Sequence, residues 1–250
     1  LLFENHYGIT SEKKILTALR VVANSNGYHP VREYLNHLDW DRTPRVRFAL
    51  HHFLGAEISD LNEELLRLFM LGAVTRIFQP GCKFEMMLCL TGGQGAGKSS
   101  FFRFLAGNDE WFSDDLRRLD DENIYRHMMG HWIIEMSEMI ATVNAKNVEE
   151  IKSFLSRQKD TYKVPYDKFP ADRPRQCVFA GTSSKLDFLP HDRSGNRRFL
   201  PIRIDPDKAE VHILANQQTS RAYFNQLWAE IMVIVPANTR YNSLRKHPSN

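Results

Sequence analysis

Residues 92–99 read Gly92-Gly93-Gln94-Gly95-Ala96-Gly97-Lys98-Ser99, which fits the phosphate-loop pattern GxxxxGK[ST]. The stretch follows the mainly apolar run 84–90 and opens a helix-like segment, Ser99 to Leu105. That strand–loop–helix setting is what gives the pattern chemical meaning. Glycines let consecutive backbone N–H groups curl around a phosphate, and the helix N-terminus adds its partial positive charge. The loop, Gly92 through Ser100, is therefore predicted to hold a nucleoside triphosphate. Lys98 would reach the β- and γ-phosphates, and the Ser99 hydroxyl would sit on Mg²⁺.

Outward from the loop, short apolar runs at 84–90, 132–136, 177–181 and 198–204 alternate with helical stretches. That alternation predicts an α/β fold with a parallel sheet. Residues 1–80 read as a helical lead-in domain. Ser11 can cap a helix through Ile15, Leu16, Leu19 and Val22, spaced for one apolar face. Pro30 and Pro44 suit the first turns of helices Val31–His37 and Arg45–Leu54. A longer helix is expected from Asp60 to Ile77, with Leu61, Leu65, Leu68 and Phe69 on one side, before Pro80-Gly81 breaks the chain. The NTPase core spans 81–205. A helical segment around Phe224, Leu227, Ile231 and Val235, with a polar tail, fills 206–250.

With 42% apolar and 25% charged residues the chain has ordinary globular composition, and its net charge is only +3. The three cysteines, Cys82, Cys89 and Cys177, form no disulfide framework and read as free thiols, two of them in apolar runs. That usage favours a reducing compartment. No apolar run approaches a membrane span. No signal peptide is visible and the first residue is not Met, so the chain reads as a domain of a longer protein. The ten histidines show no zinc spacing, and no GxSxG elbow is present. Mg²⁺ delivered with ATP is the one metal the sequence favours.

A phosphate loop needs an acidic partner on a neighbouring strand. The run 131–139 ends in Glu135 and Glu138, 37 and 40 residues beyond Lys98. In an extended segment these two face opposite sides, so both serve one site only if the chain turns at Met136-Ser137. The run 176–181 ends in Thr182-Ser183-Ser184, whose hydroxyls suit a γ-phosphate or an attacking water. Ser194-Gly195-Asn196 then delivers Arg197 and Arg198 to a strand start. Adjacent strand residues point apart, so only one of the two is aimed at a phosphate.

The chain's positive charge is concentrated. Between Arg157 and Arg175 six basic residues stand against three acidic ones, an excess equal to the net charge of the whole sequence. Tyr162, Tyr166 and Phe169 interleave with Lys159, Lys163 and Lys168, a mixture suited to phosphate contacts and base stacking. Val164-Pro165-Tyr166-Asp167 reads as a hairpin tip. A solvated basic loop that packs its tyrosines on its own domain is the alternative.

Taken in order, GGQGAGKS, WIIEMSE, the basic stretch through CVFAGTSS, and SGNRRFLPIRI closely resemble the virulence-associated protein E family. They resemble more distantly the superfamily 3 helicase domains of satellite-phage and poxvirus primase-helicases. The resemblance covers roughly residues 80–204. It implies a P-loop AAA+-type core that forms a homo-oligomeric ring, usually a hexamer, hydrolyses ATP at subunit interfaces and moves along DNA. Such proteins replicate mobile elements in the cytoplasm of a bacterial host. By position, Lys98 and Ser99 match the phosphate-loop residues, Glu138 matches the metal-holding acid, and Glu135 matches a second glutamate of the closer family. Thr182, Ser183 or Ser184 matches the sensor, where relatives commonly carry Asn. Arg197 and Arg198 match paired arginines, one acting in trans. The adjacent acidic pair usual in the metal-holding strand is missing. The hairpin would grip DNA through Lys163 and Lys168, with Lys159 and Tyr166 beside them, while Arg175 would brace the sensor strand. Two other functions fit the same loop: an ATP-gated DNA-binding or assembly module without unwinding, and a small-molecule kinase.

Overall fold

The computed structural model describes residues 8, 11–25, 27–116, 119, 124–136, 145–163, 169–185 and 196–236. Its strands are β1 (Met87–Thr91), β2 (Phe112–Ser113), β3 (Ile133–Glu135), β4 (Lys159–Tyr162), β5 (Ala171–Pro174), β6 (Val178–Ser183) and β7 (Phe199–Arg203). Five of them form one sheet in the order β2-β3-β6-β1-β7, and every neighbouring pair is parallel. β4 and β5 form a separate antiparallel ribbon. The helices are α1 (Glu12–Ser25), α2 (Pro30–Asn36), α3 (Val46–Leu54), α4 (Asp60–Phe78), α5 (Lys98–Leu105), α6 (Ile124–Met128), α7 (Ala145–Leu155) and α8 (Gln217–Ile234).

The chain divides into two compact units, residues 1–37 and 38–250. The first holds α1 and α2. Pro30 starts α2, and the His29 ring accepts from Arg32 N at 3.3 Å. The apolar face expected on α1 is not buried: Leu16, Leu19 and Val22 are each about half exposed. In the second unit α3 and α4 pack with the P-loop core, so residues 38–80 share a unit with the sheet. Pro44 lies just before the N-cap Arg45 of α3 rather than in its first turn.

The sheet strands read as continuous apolar runs because helices cover both faces. One face carries Met87, Cys89, Ile134, Phe179 and Phe199 into a cluster with Val148, Ile151, Phe154 and Leu155 of α7. Alternation turns Leu88, Leu90, Ile133 and Ile202, all fully buried, to the other face, where α4 and α5 lie against the sheet. α8 closes that side. The Trp228 ring packs against that of Trp132, tilted by 31° with centroids 4.5 Å apart, and their indole N–H groups donate to Leu105 O and Ala73 O.

α4 corrects one expectation. Ser59 caps it, accepting from Asn62 N at 3.2 Å, but Leu61 and Leu68 are exposed. The buried stripe is Leu66, Phe69, Met70, Ala73 and Ile77. The helix is apolar around most of its circumference beyond Leu65, so periodicity alone does not fix the inward face.

Arg175 braces β6, the strand that ends in Thr182-Ser183. It is buried, forks onto Asp160 at 2.6 and 2.8 Å, donates to Phe154 O at 2.6 Å, and lies over the Phe154 and Phe179 rings. Breaking one side of a buried ion pair strands the other charge, at a cost of about 3–5 kcal/mol. At roughly 2–4 °C per kcal/mol for a domain of this size, Arg175→Ala should lower the melting temperature by roughly 6–20 °C. The paired change Arg175→Met/Asp160→Leu should cost less than Arg175→Ala alone, and scanning calorimetry of the two variants checks the order.

Candidate active site

The phosphate loop leaves the C-terminal end of β1, and close packing fixes its start. Gly92 N donates to Ser183 O at 3.1 Å, and a Cβ on Gly92 would lie 2.6 Å from the Ile204 side chain. Gly95 and Gly97 hold φ of 75° and 77°, a region side chains disfavour, and Gly97 is the N-cap of α5. Gly93, Gln94 and Gly95 are exposed, Ala96 is buried, and a Cβ on Gly93 or Gly95 would meet nothing within 4 Å. The cradle thus opens outward at the N-terminus of α5, which also carries Ser100 in its first turn. Lys98 Nζ donates to Gly92 O at 2.8 Å and Gly93 O at 2.5 Å, so its ammonium lies over the cradle. Burial lowers its pKa, and Glu135 partly offsets that.

Glu135 ends β3, separated from β1 by β6. It is fully buried. Its Oε1 accepts from Ser99 Oγ at 2.9 Å and from Thr182 Oγ1 at 2.5 Å, while its Oε2 is buried without a hydrogen-bond partner. The first turn of α5 and the ends of β3 and β6 are thereby joined. Burial raises the Glu135 carboxyl above its ordinary range, the Thr182 and Ser99 hydroxyls act against that, and the charge of Asp114 adds to it. Of the three hydroxyls Thr182, Ser183 and Ser184, it is that of Thr182 that contacts Glu135. Ser183 Oγ instead accepts from Lys185 N, and Ser184 is exposed.

Asp114 was not foreseen. It follows β2, whose register sets Ser113 beside Ile134, so Asp114 is level with Glu135 on the adjacent strand. Its strand has two residues, too few for an alternating pattern; the acidic pair Asp114-Asp115 after Trp111-Phe112-Ser113 was the available signal. Glu138, Tyr166 and Lys168 lie outside the described residues. Among the described residues no group of three His, Cys, Asp or Glu could hold a metal by itself. One buried carboxylate with an unpartnered oxygen, next to a hydroxyl, instead suits a hard cation that draws its other ligands from phosphate and water.

Arg197 and Arg198 sit at the opposite end of the sheet. β7 runs parallel to β1 with Phe199 level with Met87, so the arginines start about five strand residues, roughly 16 Å, from Gly92. Both pair with Glu85 of their own chain.

In the ribbon, Lys159 pairs with Asp172, and Thr161 Oγ1 donates to Asp172 at 2.6 Å. The Tyr162 ring lies parallel to Tyr125 at 5.1 Å, with the Arg173 guanidinium 5.1 Å from its centre. Lys163, which follows β4, and Phe169, which precedes β5, are exposed, Phe169 by 77%.

Residues 35–248 match the family model for the Virulence-associated protein E-like domain. The chain belongs to that family. No curated protein matches this virulence-associated protein E-like chain in sequence. Among solved structures it is similar to apo forms of the NrS-1 C-terminal region, with TM-scores of 0.58 and 0.57 at 17% identity. Those matches cover 83% of this chain and 50% of the NrS-1 chains, so it spans about half their length. At that identity the likeness is one of fold. Among the described residues no helix is long and apolar enough to cross a membrane.

Proposed function

We propose that this chain is the ATP-hydrolysing motor domain of a DNA helicase encoded by a phage or mobile element, with an AAA+-type core working as a ring of copies in the host cytoplasm. The observation that carries the reading is the contact of Ser99 and Thr182 with the buried Glu135 beside an open phosphate cradle. Backbone N–H groups of residues 93–98 bind the phosphates of ATP, and Lys98 turns from the Gly92 and Gly93 carbonyls onto them. Ser99, with Glu138 and Glu135 as the acids, would hold Mg²⁺, which supplies charge neutralisation at the β- and γ-phosphates. Glu135, held by Thr182, orients the attacking water and accepts its proton. The distance of Arg197 and Arg198 from their own phosphate loop supports action on a neighbouring copy.

The DNA contact is assigned to the ribbon, with Lys163 exposed just after β4 and Lys159 at the start of that strand. The test is the ATPase rate of the purified chain with and without single-stranded DNA, run beside strand displacement and a mass measurement. Single-stranded DNA should raise the rate, and displacement should require ATP. ATPase that ignores DNA while an acceptor is phosphorylated would sink the reading; DNA binding without displacement would leave only an assembly module. Lys163→Ala should weaken single-strand binding and lower the slope of log affinity against log salt by about 0.7, one phosphate contact. An unchanged slope would remove Lys163 from the DNA surface.

A further inference from the structure

Glu85 precedes β1 at the sheet end away from the phosphate loop and gathers three side chains. Ser156 Oγ donates to its Oε2 at 2.9 Å. Arg198 Nε lies 3.1 Å from the same oxygen and 3.0 Å from Ser156 Oγ. Arg197 reaches Oε1 through one contact at 3.5 Å. The two arginines differ in exposure: the Arg198 side chain is 19% exposed and that of Arg197 is 73%. Arg198 is therefore a fixed part of the site, and Arg197 is the group free to reach another molecule.

Ser156 stands between α7 and β4, three residues before the ribbon begins. The other ribbon strand returns to the same place. Arg175 N donates to Gln158 O, its side chain donates to Phe154 O, and its carbonyl accepts from Gly81 N. The feet of the ribbon, the end of α7 and the chain leading to β1 are thus one hydrogen-bonded assembly, and Glu85–Ser156–Arg198 is its link to the arginine pair.

We infer that Glu85 is a positioning residue that couples the ribbon to the trans-acting arginine. With the ribbon unloaded, Glu85 keeps Arg197 in cis; DNA on the ribbon, acting through Ser156, frees Arg197 for the phosphate loop of a second copy. The inference rests on the function proposed above. Coupling requires an element with two arrangements, and Arg197 supplies it, on Glu85 or on the neighbour's phosphate. The Ser156 hydroxyl, and then Arg198, hold the Glu85 carboxyl below the usual glutamate range, so the counter-charge persists at neutral pH. An ion pair this exposed is weak, so giving up Arg197 is easy, whereas Arg198 stays bound to two acceptors.

The experiment compares ATPase rates of the full chain without DNA and with saturating single-stranded DNA. Glu85→Gln should raise the DNA-free rate by about 1.5- to 5-fold, the worth of a weak ion pair, and lower the DNA-stimulation ratio by the same factor. Placed on Arg197→Ala, the same change should give no rise, since its effect runs through Arg197. Ser156→Ala should move the ratio in the same direction, and it decides the matter if Glu85→Gln does not fold. A stimulation ratio equal to that of wild type, or a rise that survives Arg197→Ala, would overturn the coupling alone. A wild-type ATPase indifferent to DNA would overturn the proposed function as well.

Discussion

Glu135→Gln should give a protein that still binds ATP, hydrolyses it roughly 10²–10⁴-fold more slowly, and melts no earlier than wild type. The rate loss is the usual worth of a positioned general base. The stability half follows from burial. Glu135 is fully buried, its Oε2 has no partner, and burial raises its carboxyl above the ordinary glutamate range. A carboxyl raised on folding holds its proton more tightly in the native state, so stability falls as pH rises through the window between the unfolded and folded values. Above that window the ionised form carries the full penalty. The neutral amide lacks it, and its oxygen can still accept from Ser99 and Thr182. The melting advantage of the variant should be largest at neutral pH in nucleotide-free protein and vanish below the ordinary glutamate range. Calorimetry across pH, with nucleotide binding measured alongside, checks both halves. A variant that melts well below wild type at neutral pH would mean that Glu135 is there for packing.

The same residue shows where sequence reading reached and where it stopped. Spacing from Lys98 picked out Glu135 and Glu138, but a strand of three residues cannot tell which acid faces the loop. The contact of Glu135 with the loop needed β6 to be inserted between β1 and β3, bringing Thr182 and Ser99 onto one oxygen. The glycine pattern was legible because Gly92 and Gly97 are required by local backbone geometry and close packing. Glu85 was hidden inside a run read as strand. The strand begins only at Met87, because Arg76 takes the Phe84 carbonyl and the Phe84 ring fills the space left by the missing Cβ of Gly72. Residues 84–86 peel away, and their carboxylate becomes free to collect arginines. Nearest-neighbour patterns report such long-range contacts poorly; register and burial report them well.

Arg197→Ala subunits should be nearly inactive alone, by roughly 10³–10⁵-fold, yet regain ATPase when mixed with inactive Lys98→Ala subunits. Each variant lacks a different half of the site. An Arg197→Ala copy keeps an intact phosphate loop, and a Lys98→Ala copy keeps an intact arginine at the other end of its sheet. In a head-to-tail assembly these halves meet wherever the copies alternate in the right order. Random equimolar mixing sets one interface in four correctly, so activity should peak near equal proportions at about a quarter of wild type. The shape of the curve is the diagnostic. An arginine acting on its own chain would give two dead proteins and no activity at any ratio. A residue that only stabilises the fold would give the same flat line with a lowered melting temperature. Arg198→Ala should behave differently from Arg197→Ala, because its guanidinium is bound to Glu85 and Ser156 and is only 19% exposed. Its loss should disturb the DNA-stimulation ratio before it removes hydrolysis. If mixing rescued Arg198→Ala and left Arg197→Ala dead, the roles of the two arginines would be exchanged, and the acting arginine would be the one bound to both Glu85 and Ser156.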